Sequence, residues 1–154
     1  MASDPDLRGE LQAEYLLLQS QYEAYDQRAL SLKGLATPLL GAGVAFGLKD
    51  PSLPLVAVTV ALAIALWVLE VTWKVFQYCN IPRIQKLEAW FASADPDEMR
   101  PFQVYGSWAH AFKGEWGGVG RWLAVAIEPF VCLPYIVVVV AGASAALILA
   151  NGKA

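Results

Sequence analysis

The chain has 154 residues, of which 57% are hydrophobic and only 16% charged, against roughly 25% charged in an ordinary soluble domain. Its net charge of −3 leaves no basic field to attract nucleic acid, which is therefore not an expected partner. The two cysteines, Cys79 and Cys132, stand far apart with no metal-ligand spacing around either, so neither a disulfide framework nor a zinc site is expected, and both read as small packing residues.

The first residues, MASDPDLRGE, are acidic and lack the basic n-region and short apolar core of a cleaved signal peptide, so the first helix is expected to remain in the mature protein. From about Asp6 to Lys33 the residues Leu11, Tyr15, Leu18, Tyr22, Tyr25, Ala29 and Leu32 recur at alternating spacings of four and three, which is a heptad stripe. Asp4 fits an N-cap with Pro5 at the first helical position, and Glu10, Glu14, Gln21 and Arg28 are placed on the polar face. Three heptads are marginal alone, so the stripe is expected to pack on a partner helix, another subunit or the membrane surface. The alternative is an amphipathic helix that covers loops of its own chain.

The helix continues through a first apolar segment, Gly34–Leu48. Its fifteen residues rise only about 22 Å, short of the roughly 30 Å of a hydrocarbon core, so a span here must borrow Ala29 to Leu32 and let Lys33 snorkel; a re-entrant segment is the other option. Gly43 and Gly47 stand four apart and are expected to mark a close helix contact, since small residues let backbones approach in lipid. Lys49 to Ser52 form a turn, and helix two runs over Leu53–Trp73 or on to Cys79, giving an antiparallel hairpin with helix one. No Asp, Glu, Lys or Arg occurs between Leu53 and Leu69 or between Phe130 and Ala150. Uncharged runs of this length are what a spanning helix needs, and they lack the alternation of barrel strands.

Next, IPRIQKLEAWFA places Ile84, Leu87 and Phe91 on one face with Arg83, Lys86 and Glu88 elsewhere, a helix expected to lie along the interface. Asp95, Pro96 and Glu98 fit a capped helical turn that Pro101 would stop. Phe102, Tyr105, Trp108, Phe112 and Trp116 then read as an interfacial aromatic belt, followed by a hinge from Gly117 to Gly120. Helix three starts near Trp122, is interrupted at Glu128-Pro129 and at Pro134, and is uniformly apolar to Ala150.

The expected architecture is an all-α membrane protein. An amphipathic cytoplasmic helix takes 1–33, a transmembrane hairpin 34–79, an aromatic-rich cytoplasmic or interfacial segment 80–121, and a third transmembrane helix with a short tail 122–154. Basic residues gather in the N-terminal segment and between Lys74 and Arg121, which places the N-terminus in the cytoplasm and the C-terminus outside by the positive-inside rule. Five of the six tryptophans, all but Trp67, fall on or near the cytoplasmic side.

Glu70 and Lys74 stand four apart in the order that favours a helical ion pair, and Glu128 is expected at a similar depth. Ionisable groups there are functional candidates by default, so Glu70, Lys74, Arg121 and Glu128 form an expected ion-pair cluster or ion pathway. His110, the single histidine, has no nucleophile motif beside it, and the Gly117–Gly120 run lacks the strand and lysine of a phosphate loop; no catalytic residue, cofactor or metal is expected. Leu11, Leu18 and Tyr25, with Gly43 and Gly47, are the expected helix-packing positions, pointing to a homo-oligomer or a membrane-protein partner besides the lipid bilayer.

Three stretches, EYLLLQSQYEAYDQRALSLKG, WKVFQYCNIPRIQKLEAWF and RPFQVYGSW, resemble in that order a family of small bacterial multi-pass membrane proteins. The blocks Tyr25 to Leu30 and Trp73 to Gln77 carry most of the resemblance, which implies a bacterial inner-membrane location and brings no activity and no functional residues. A weaker likeness is to bacterial two-helix membrane effector domains, some of which act by oligomerising and permeabilising the membrane; here there is a third helix and no fused sensor domain. The functional expectation is an oligomeric channel or membrane-permeabilising protein, with a non-catalytic accessory or scaffold subunit of a larger membrane complex as the alternative.

Overall fold

The computed structural model describes residues 5–93 and 99–151, and among them every regular element is helical. The capped turn expected at Asp95, Pro96 and Glu98 lies outside the described residues. In chain order the elements are α1 (Pro5–Lys49), α2 (Leu53–Tyr78), α3 (Ile81–Ser93), α4 (Val104–Ala111), a π-helical turn (Phe112–Trp116), α5 (Val119–Ala126) and α6 (Pro129–Asn151). Three stretches, Asp6–Lys49, Leu53–Ala92 and Pro129–Asn151, hold helices long and apolar enough to cross a membrane. The chain divides into two compact units, one built from Met1–Gln27 and Trp73–Trp122, the other from Arg28–Thr72 and Leu123–Ala154.

In the first unit the heptad stripe finds its cover within the chain. Leu11 and Leu18 are fully buried and share a core with Ile84, Leu87, Trp90 and Met99. Tyr15 meets Phe91 edge-on at 6.4 Å and donates its hydroxyl to Glu88 Oε1 at 3.1 Å. The apolar face of α3, expected along a membrane interface, is therefore packed against α1, and α3 is the helix that covers Leu11 and Leu18. Several aromatics of the expected belt also pack on one another. Trp108 stacks on Phe112 at 5.3 Å, both meet Phe76 edge-on, and the Trp108 indole donates to the Phe76 carbonyl at 3.1 Å. Phe102 and Tyr105 remain exposed.

In the second unit a short turn joins α1 to α2. The Ser52 amide donates to the Gly47 carbonyl at 3.1 Å, and Ser52 Oγ accepts the Leu55 amide at the start of α2. The two helices run antiparallel at close range: a Cβ on Gly43 would lie 2.4 Å from Thr59 Oγ1, and one on Gly47 2.5 Å from Val56 Cγ2. A third close approach, absent from the sequence reading, is at Gly142 of α6, where a Cβ would lie 2.3 Å from Val60 Cγ2. Leu40, Val44, Val56, Ala63, Tyr135, Val138 and Ala145 form the core around these crossings. The other faces carry exposed Leu35, Leu39, Phe46, Val58, Leu62, Val68, Val137, Val140 and Leu147, apolar surface of the kind that marks a membrane or protein contact.

Thr59, Val56 and Val60 are branched at Cβ and cannot swing aside, so a methyl group at the glycines they face must push the helices apart. Gly142→Ala and Gly43→Ala are expected to destabilise the protein by about 1–3 kcal/mol each. Gly41→Ala, whose Cβ meets nothing within 4 Å, should be neutral or stabilising; thermal unfolding in detergent followed by circular dichroism checks all three.

Candidate functional site

Two polar clusters are built into these apolar surroundings, one in each unit. In the first, Glu14 is fully buried on the packed face of α1. It lies three residues after Leu11 and four before Leu18, so helical geometry places it with them, and the sequence reading that put it on the polar face is corrected. Arg83 on α3, also expected on a solvated face, is 5% exposed and engages Glu14 through two parallel bonds, Nε to Oε1 at 2.8 Å and Nη2 to Oε2 at 2.9 Å. This fork-to-fork geometry is the strongest a guanidinium and a carboxylate can make. Arg83 Nη2 also donates to the Arg100 carbonyl at 2.8 Å, and Glu14 Oε2 accepts the Phe102 amide at 2.8 Å. Phe102 has φ 59°, a left-handed conformation that costs a bulky residue energy, and the bond to Glu14 holds its backbone there. One buried pair thus ties α1, α3 and the segment before α4.

In the second unit Lys33, Glu70 and Tyr135 converge from α1, α2 and α6. Lys33 Nζ lies 2.6 Å from Glu70 Oε1, with the two side chains 11% and 1% exposed. Neither Glu70 oxygen makes an aligned hydrogen bond, so the contact is an ion pair, and the Tyr135 hydroxyl beside the same carboxylate also lacks one. Lys33 donates as well to the Phe130 carbonyl and sits 4.1 Å from the Phe130 ring centroid. That carbonyl lies four residues before Pro134, which has no N–H to offer it. Lys33 supplies the missing donor. The expectation that it snorkels to water gives way to a lysine held inside the unit by an anion, a carbonyl and a ring.

Of the expected cluster of Glu70, Lys74, Arg121 and Glu128, Glu70 pairs with Lys33, and Lys74 and Arg121 each engage a further acidic residue. Lys74 Nζ donates to Asp26 Oδ1 at 2.6 Å and to Gln77 Oε1 at 2.8 Å, and Gln77, itself buried, donates to the Tyr22 carbonyl. Arg121 pairs with Glu115 at 2.8 Å on the surface and covers the Trp116 ring. The Glu128 carbonyl accepts the amides of Val131 and Cys132, both at 2.9 Å, and so opens α6. Leu11 and Leu18 are buried in the core and Tyr25 is half-buried. Gly43 and Gly47 make contacts within the chain, and His110 is exposed on α4.

Glu14, Arg83, Lys33 and Tyr135 are the residues that sequence reasoning missed or misplaced. A signal existed for two of them, since Glu14 shares the face of Leu11 and Leu18, and Arg83 stands four residues before Leu87. Nothing local could pair Lys33 with Glu70, which lies in another helix.

With this geometry in hand, comparison with known proteins adds no relative: no protein-family profile, curated protein or solved structure matches the chain.

Removing one partner of a buried ion pair strands the other, whereas replacing both by apolar groups does not. Arg83→Met is therefore expected to cost about 3–5 kcal/mol. Lys33→Met should be costly in the same way, and the double variant Lys33→Met/Glu70→Leu should recover most of that loss. Chemical denaturation of the purified variants in detergent provides the double-mutant comparison.

Proposed function

We propose that the chain is a three-span integral membrane protein that serves as a non-catalytic accessory or scaffold subunit of a membrane complex. Its spans come from the apolar parts of α1, α2 and α6, whose outward residues are apolar on every helix. Lipid is the solvent that tolerates such a surface. The distribution of Lys and Arg favours a cytoplasmic N-terminus, and the family resemblance favours the inner membrane of a bacterium.

The observation that carries the scaffold reading is that one charged pair and three closely packed glycines of the spans meet partners inside the chain. Lys33 and Glu70 neutralise each other, Gly43 and Gly47 seat α2, and Gly142 seats α6. A conducting path would need polar groups to line it, and Glu70 is turned instead toward its own lysine. The heptad residues Leu11 and Leu18, which suggested self-association, are covered by α3. Exposed Phe102 and Tyr105 on the first unit offer contact area of the kind that partner proteins use.

On this reading the protein stays in the pellet when membranes are washed with alkaline carbonate and is released by detergent. Reconstituted alone in liposomes, it leaves ion flux at the level of empty vesicles, and its detergent complex has the mass of one chain. A closed assembly with a flux that Glu70→Gln or Glu128→Gln alters would replace the scaffold with the oligomeric channel. Recovery in the supernatant without detergent would remove the membrane altogether.

A further inference from the structure

We propose that a cleft in the first unit is a binding site for a phosphate ester, carried either on a lipid headgroup or on a small soluble molecule. The inference goes beyond the scaffold reading and depends on the membrane only for one of these two sources. The cleft has a volume of about 670 Å³ and is lined by Arg83, Lys86, Arg100, Ser107, His110 and Glu115. That lies within the 300–1,000 Å³ usual for small-molecule sites and leaves room for more than a bare ion.

The charge within the cleft is opposite to that of the chain as a whole. Glu14 neutralises Arg83, and Arg121 neutralises Glu115. Lys86 and Arg100 are exposed and have no carboxylate partner among the described residues. Among the described residues two cations are thus in surplus, in a protein whose net charge is −3. The donors come from separate directions: Lys86 from α3, Arg100 from the segment before α4, and the Ser107 hydroxyl and His110 imidazole from positions three apart on α4. Arg83 has a further N–H to offer, because its Nη1 meets only the Met99 sulfur at 3.6 Å, and a thioether is a weak acceptor. A group with several anionic oxygens spread around one centre suits such a set better than a flat carboxylate, which two parallel donors already satisfy.

Another part of the cleft lining comes from an unusual backbone. The Gly117 amide donates to the Phe112 carbonyl five residues back at 2.6 Å, and the π-helical turn that results contributes Gly114 and Glu115 to the cleft. Such turns interrupt the ordinary helical ladder and collect at functional sites. Gly106 and Gly114 add no side chain, which keeps the cleft open.

His110 is the only histidine, so histidine-labelled full-length protein gives one imidazole signal in an NMR spectrum. In maltoside micelles, free of phosphate, at fixed pH, that signal is followed on addition of glycerol 3-phosphate, and separately of phosphatidic acid, with diacylglycerol as the phosphate-free lipid control. A saturable shift with glycerol 3-phosphate supports a soluble ester, and a shift with phosphatidic acid alone supports a headgroup. In Lys86→Gln/Arg100→Gln the binding is expected to weaken at least about tenfold, the loss of charge-assisted contacts, while Lys113→Gln, outside the cleft, leaves it unchanged. The double variant keeps the fold because both side chains are exposed and the Arg100 carbonyl, which holds Arg83, is retained; an unchanged thermal unfolding midpoint by circular dichroism verifies this. No saturable shift with either phosphate probe, an equal shift with diacylglycerol, or a shift that survives in the double variant overturns the proposal.

Discussion

A carboxylate on the packed side of a helix is tolerable only when a cation is brought to it, and each unit of this protein is organised around one such requirement. In the first, Glu14 takes Arg83 in a two-bond fork and adds the Phe102 amide, so a single anion fixes two helices and the conformation of the segment that leads into α4. In the second, Glu70 takes Lys33. Taking charges out of water is costly, and the compensation comes only if the partners are held in place by everything around them. The cores of Leu11, Leu18 and Leu87, and of Leu40, Val56 and Tyr135, supply that support.

The break between α5 and α6 shows the same principle applied to the backbone. Proline cannot donate to the helical ladder, and a helix that ends in an apolar setting leaves carbonyls without partners. Here the Ala126 carbonyl at the end of α5 accepts the Trp67 indole at 3.0 Å, the Ile127 carbonyl accepts the Cys132 thiol, and the Phe130 carbonyl accepts Lys33. One lysine therefore answers two deficits, an unpaired carboxylate on α2 and a carbonyl freed by Pro134 on α6. The interruption is built into the packing, with side chains from α1 and α2 closing it.

These arrangements bear on how the protein works. In the second unit the Glu70 charge is balanced by Lys33 inside the chain. The chemistry that remains open lies in the first unit, where α3, α4 and the π-helical turn leave cations beside a cleft and aromatic rings exposed near the strained Phe102.

The helical class, the candidate spans, the break at Glu128-Pro129 and the close approach at Gly43 and Gly47 were legible in the residues themselves. They depend on local quantities: an uncharged run of a certain length, a missing N–H, a missing side chain. The periodicity of Leu11, Tyr15 and Leu18 likewise fixed which face of α1 is buried. It was silent on what covers that face, because a stripe states only that apolar surface must leave water. The tertiary structure alone decided that α3 is the cover, that Glu14 takes Arg83 as its partner, and that Lys33 serves Glu70 and Phe130. Each of those pairings joins residues dozens of positions apart, and an electrostatic partner is chosen by proximity in space, which no local pattern encodes.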